Sequence, residues 1–158
     1  MMKNNRKNGF SLIELLIVVA IILIIAAIAI PNLIRSKMAA NEASAVGSLR
    51  TMNTAITGYA STYDIGYPGA LSYLGPSTAP NSTASDFIDE VLASGVKSGY
   101  MFTYTPGSAS TGGVITNYSI TASPQIPGAS GQRYFYTDES LVIRVNTTAA
   151  ASSTDSPL

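Results

Sequence analysis

The sequence predicts an α+β chain: one long N-terminal helix, membrane-spanning in its first half and amphipathic in its second, packed against a small antiparallel sheet of about four strands. Three observations carry this. Phe10 to Ile30 is an almost unbroken apolar run of 21 residues. Val46, Leu49, Met52, Ile56, Tyr59 and Tyr63 then recur at steps of three or four, the spacing of one helix face. Beyond residue 100, short runs rich in Tyr, Thr, Ile and Val alternate with Gly, Pro and Ser clusters, the composition of strands and turns.

The apolar run comes first in the chain. A helix of its length rises about 32 Å, close to the hydrocarbon thickness of a bilayer. It is apolar on every side, which suits surroundings of lipid or of other apolar helices. Its β-branched residues lower helix propensity in water, but in lipid a helix is what satisfies the backbone. Glu14 is the exception inside it. A charge at the bilayer centre costs roughly 2.5–3.5 kcal/mol on insertion scales, so an intramembrane carboxylate points to a function and to a partner. No Lys, Arg or His lies between Phe10 and Ile34. Either Glu14 sits near enough to the end of the span to reach headgroup water, or a partner is created: cutting the Gly9-Phe10 bond leaves an α-amino group on Phe10, which ordinarily titrates at about pH 8. Phe10 and Glu14 are then four apart on one helix face.

A basic leader (Lys3, Arg6, Lys7), then Gly9-Phe10-Ser11-Leu12-Ile13-Glu14, then Pro31 as the twenty-second residue after the cut together resemble the cleavage and methylation motif of type IV pilins and of the related pseudopilins of type II secretion. The resemblance covers about the first 55 residues. It implies that a membrane prepilin peptidase cuts after Gly9 on the cytoplasmic side and methylates the Phe10 amine. It also implies that subunits leave the membrane lipid with the help of inner-membrane assembly machinery and stack into a helical homopolymer, Glu14 of one meeting the Phe10 amine of a neighbour. Two charges that are each costly in an apolar environment offset one another when paired. The same spacing also lets Glu14 neutralise its own terminus. The expected course is a single-pass precursor in a bacterial inner membrane and then an extracellular pilus, or a periplasmic pseudopilus. The organisation expected is a cleaved leader over 1–9, a transmembrane and assembly helix over 10–31, an amphipathic helix half and globular domain over 32–148, and a flexible tail over 149–158.

The small residue at the cut precedes the apolar run, whereas an ordinary secretory signal is cut after it. A cut near Ala26-Ala27 or Ala39-Ala40 is the competing reading. Charge hardly fixes orientation, because Arg35 and Lys37 flank the far end. Without residues 1–9 the chain has six basic and nine acidic residues, a formal −3, which argues against a general nucleic-acid surface. With no cysteine and no histidine, disulfides, Cys-based zinc sites, thiol nucleophiles and Ser-His-Asp catalysis are excluded. Many pilins have a C-terminal disulfide, and this chain departs from them. No enzyme and no cofactor are expected.

Pro31 lacks an N–H, so one long helix is expected to bend there, and Gly47 weakens it further by about 1 kcal/mol relative to Ala. Glu42, Arg50 and Asn53 are read as lying off the apolar stripe. Asp64 to Ser85 reads as a loop with variable, exposed character in pilins, and Asp86 to Ser94 as a short helix stopped by Gly95. Strands are expected over Tyr100 to Thr105 and Val114 to Thr121, then over Arg133 to Thr137 and Leu141 to Asn146, covering the stripe of the helix. Asp138, Glu139 and Asp155 lack the dense spacing of a calcium loop, so no metal site is assigned. Asn81-Ser82-Thr83 and Asn146-Thr147-Thr148 match the glycosylation tripeptide, a weak signal. The nine tyrosines read as packing. Three functions remain: pilus subunit, pseudopilin, or a single-pass anchored binding domain that predicts no cut at Gly9 and tolerance of Glu14 replacement.

Overall fold

The computed structural model describes residues 10–158, so the basic leader and Gly9 lie outside the described residues. The chain forms two compact units, divided between Ser36 and Lys37. Helix α1, Leu12–Tyr63, is continuous in secondary structure, with Pro31 inside it. In the first unit it is apolar all round. From Leu12 to Ile34 every large apolar side chain is exposed.

In the second unit the helix is amphipathic. Ala45, Val46, Leu49, Met52, Ala55, Ile56 and Tyr59 are buried, as the three-and-four spacing requires. Tyr63 is partly buried against the same cluster. Asp64 ends the helix in the left-handed region at φ 53°, its N–H bonded to the Ala60 carbonyl at 3.1 Å. Glu42 and Asn53 do not lie off the stripe. Both are buried, because Glu42 stands seven before Leu49 and Asn53 seven after Val46, two helical turns in each case.

Five strands form one antiparallel meander in chain order: β1 Val96–Lys97, β2 Tyr100–Pro106, β3 Tyr118–Pro124, β4 Tyr134–Asp138 and β5 Arg144–Asn146. Buried and part-exposed residues alternate along β3 and β4. Tyr118, Ile120, Ala122, Phe135 and Thr137 therefore face the helix stripe, and Ser119, Thr121, Tyr136 and Asp138 face away. The α+β layout matches expectation with one strand more. The extra strand is β1, two residues long after Gly95.

Three boundaries differ from expectation for local reasons. β3 starts at Tyr118 rather than Val114, because Ile115 is taken up in bridges to Gly66 and Ala109. β5 starts at Arg144, since Asp138 to Leu141 form a turn in which Leu141 has φ 63°. The helix expected from Asp86 shrinks to α2, Glu90–Ala93. The Phe87 and Ile88 amides donate to the Leu74 carbonyl at 2.9 and 3.0 Å instead, and Asp89 caps α2 by accepting from Leu92 N–H at 2.7 Å. Within the loop of residues 64–85 a 3₁₀ turn, Leu71–Leu74, buries both its leucines.

Two polar contacts tie the helix stripe to the sheet. Asn53 Nδ2 donates to Thr137 Oγ1 at 2.9 Å, and the Tyr118 hydroxyl donates to Asn53 Oδ1 at 3.2 Å. Glu42 Oε1 accepts the Gln132 and Arg133 amides at 2.8 and 3.2 Å, and Glu42 Oε2 accepts Arg133 Nε at 2.7 Å. Burial pushes the Glu42 carboxyl up, but these donors together hold it below its ordinary value. Gly131 serves the same corner: a Cβ there would fall 2.2 Å from the Tyr100 hydroxyl, which donates to the Arg133 carbonyl at 2.7 Å.

Residues 149–158, expected as a flexible tail, lie along β5. Val145 N–H donates to the Ser156 carbonyl and Leu158 N–H to the Ile143 carbonyl, and Ala151 is buried. Asp155 organises the segment. It accepts from Ser152 N–H at 2.7 Å and from Asn146 Nδ2 at 2.9 Å, bonds that hold its carboxyl below the usual range.

Candidate processing and assembly segment

The first turn of α1 holds the residues singled out by sequence. Ser11 stands just before the helix, its carbonyl accepting from Leu15 N–H at 3.2 Å. Glu14 turns back, and its Oε2 accepts the Ser11 backbone N–H at 2.9 Å. Ser11-Leu12-Ile13-Glu14 is thus the acid half of a capping box, in which a carboxylate at the third helical position satisfies an amide that the helix leaves unpaired. The carboxylate also sits at the positive end of the helix dipole. The S-x-x-E spacing signals this role, which sequence reasoning missed because the same glutamate stands out more strongly as a charge within an apolar run.

Phe10 precedes the helix with its side chain 79% exposed. Gly9, and with it the Gly9-Phe10 bond expected to be cut, lies outside the described residues. Beyond Glu14 the helix presents an apolar surface of a kind that marks a membrane or protein contact, far larger than a scattering of single exposed residues. The segment is long and apolar enough to cross a membrane by length and composition. In chemical terms it can enter lipid or pack among other apolar helices, with one carboxylate near its start.

Pro31 and Gly47, expected to mark a bend, are both inside α1. Pro31 leaves the Ala27 carbonyl without its usual donor. Around Gly47, apart from its chain neighbours and the helix's own backbone, no heavy atom of the described residues lies within 4 Å of where a Cβ would stand. Of the acids weighed for a metal, Asp155 is engaged by Ser152 and Asn146, and Asp138 Oδ1 accepts the Ser140 amide at 3.0 Å. Among the described residues no cluster of three or more His, Cys, Asp or Glu is placed to hold an ion. In both glycosylation tripeptides the last threonine's hydroxyl donates to the asparagine Oδ1.

The chain thus opens on an exposed apolar helix whose first turn is capped by its own glutamate. The family model described as the prokaryotic N-terminal methylation motif matches residues 4–30, and in its N-terminal segment the chain is similar to the type IV pilin family. The chain is 48% identical over 61 residues, 39% of its length, to the type IV major pilin protein PilA of Myxococcus xanthus strain DK1622. That match spans 28% of the relative's own length. No solved structure matches the chain.

Proposed function

We propose that this chain is the structural subunit of a type IV pilus, cut after Gly9, methylated on the Phe10 amine and assembled through its N-terminal helices. The observation that carries the reading is the exposed apolar first half of the helix with Glu14 in its first turn, within the span of the methylation motif. The major-pilin description of the Myxococcus relative supports a pilus over a pseudopilus.

The proposed mechanism rests on charge and solvation. Before assembly the apolar helix holds the subunit in the inner membrane, and Glu14 spends its carboxylate on its own helix start. On assembly the helices leave lipid for one another. Glu14 then meets the methylated Phe10 amine of a neighbour, and a subunit that stacks out of register leaves one of these charges buried alone, at a cost of about 3–5 kcal/mol. The charge pair thereby sets register, while the apolar surface supplies most of the attraction. Pro31 and Gly47 are the places where the packed helix would bend or stretch. The second unit would form the outer part of the filament and has no catalytic role in this account.

Mass spectrometry of the chain's N-terminus, on protein from membranes and from sheared surface material, tests the processing step. The expected species begins at methylated Phe10 and is recovered in the sheared fraction. Recovery of that species only from the cell envelope would turn the reading to a pseudopilin. An intact Met1, or a cut after the apolar run, would remove the filament mechanism and leave an anchored or secreted domain.

A further inference from the structure

Three segments of the second unit enclose a pocket of about 320 Å³ beside the residue that opens the unit. Lys37 and Asn41 line it from α1, Ser98 and Gly99 from the turn between β1 and β2, and Ile126 and Ser130 from the loop between β3 and β4. The turn has two residues, both in the left-handed region at φ 50° and 73°, and joins Lys97 to its strand partner Tyr100. A Cβ on Gly99 would fall 2.9 Å from Ser130 Cβ and 3.1 Å from Asn41 Nδ2, so glycine lets the three segments close. Hydrogen bonds then fix the walls. Asn41 Nδ2 donates to the Ser130 carbonyl at 2.7 Å, and Gln125 N–H to the Gly99 carbonyl at 2.9 Å. Ser130 closes the loop on itself: its N–H donates to the Ile126 carbonyl at 2.9 Å, and Ile126 N–H donates to its hydroxyl at 3.0 Å. Ile126 is thereby held in place while 63% exposed.

The lining offers donors for an anion beside an apolar contact. Lys37 is exposed, and its ammonium has no carboxylate partner among the described residues. Ser44 Oγ donates to Ser98 Oγ at 2.9 Å, which leaves the Ser98 proton for an outside acceptor. Among the described residues no carboxylate lines the pocket. Position along the chain selects the anion. Lys37 stands three residues after Ile34, the last of the large apolar side chains exposed in the first unit. That is a rise of about 4.5 Å along α1, within the headgroup layer if the apolar run fills the hydrocarbon. On the filament reading this is also the translocated side of the membrane, where Lys and Arg are the rarer residues, and a phosphate neighbour offsets that disadvantage.

We propose that this pocket receives the phosphate of an anionic membrane phospholipid before assembly. Lys37 and the Ser98 hydroxyl donate to the phosphate, and Ile126 enters the upper acyl region. The contact rests the globular unit on the membrane surface and is given up when the subunit leaves lipid. It depends on the filament reading for the membrane stage. General attraction to a charged surface would draw on Arg35 and Lys37 alike, whereas the pocket singles out Lys37.

The chain has no cysteine, so a full-length Gln125→Cys variant carries one fluorescent probe, on an exposed residue next to Ile126. It is reconstituted in vesicles of phosphatidylcholine, alone or with phosphatidylglycerol, that contain a lipid with a nitroxide on its headgroup. Phosphatidylglycerol is expected to bring the probe within quenching range, and Lys37→Gln should need about tenfold more of it for half-maximal quenching. Lys37→Arg should keep most of the effect, and Arg35→Gln should shift it less than Lys37→Gln does. In a chain that inserts, equal quenching with and without phosphatidylglycerol, or equal shifts from Arg35→Gln and Lys37→Gln, would overturn the pocket and leave the filament reading intact. A chain that stays out of both kinds of vesicle would overturn both.

Discussion

The two halves of α1 bury their apolar residues in opposite ways. In the first unit Leu12 is 75% exposed and Ile22 57% exposed. In the second Leu49, Met52 and Ile56 are 0% exposed. The difference lies in pattern more than in hydrophobic content. A stripe along one helix face can be covered by one sheet, and once covered it is satisfied. A surface that is apolar all round cannot be satisfied by one neighbour, so it suits lipid first and several helices later. On the filament reading proposed above, the first half encodes association and the second encodes folding.

That division can be broken at either end. The largest effect is expected from Glu14→Ala: incorporation into filaments should fall more than a hundredfold, in line with about 3–5 kcal/mol for an unpaired buried charge. Cleavage after Gly9 and the melting temperature of the globular unit should not change. Quantifying sheared material beside the thermal transition checks both parts. Ile56→Ala tests the other half. Deleting a fully buried side chain should cost the globular unit about 3 kcal/mol in a denaturant titration, with processing at the N-terminus untouched.

The smaller effects sharpen the picture. Glu42 has a folded pKa below its unfolded one, so its contribution to stability is present above the unfolded value near 4.5 and is lost as pH falls through the folded value. Glu42→Gln should therefore destabilise by about 1–2 kcal/mol at neutral pH and by less in acid, which paired unfolding curves at pH 7 and pH 3 would reveal. Last comes Gly47→Ala. The site is exposed, helical and open where the Cβ would go, so a gain of about 0.5–1 kcal/mol is expected. If the same change slows filament growth, the glycine serves assembly rather than folding.

What is legible in the sequence divides along the same line. Periodic apolar spacing predicts the stripe residue by residue, and the apolar run with its glutamate points to the assembly segment. Polar residues inside the pattern are harder to place. Glu42 and Asn53 stand at core spacing, yet their chemistry argues for solvent; only the residues leading into β4 (Gln132, Arg133) and Thr137 within it supply the groups that make their burial favourable. Ile115 has strand composition but bridges to Gly66, 49 positions earlier, a distant pairing that leaves no local trace. The segment over 149–158 docks mainly through backbone amides and Asp155, which carry no hydrophobic period to detect. Of the candidate assembly segment, the apolar run and Glu14 stand out in the sequence, and the capping role of Glu14 is the part that its spacing from Ser11 signals only quietly.

In the filament we propose, residues 10 to 36 are buried by the same residues of other copies. A cryo-electron microscopy map of filaments sheared from cells producing this chain tests it most directly. The account predicts a helical assembly whose axis is lined by these segments, with Glu14 of one subunit beside the Phe10 amine of another. A filament whose core is built from some other chain, or one that leaves the apolar segment facing solvent, would contradict it.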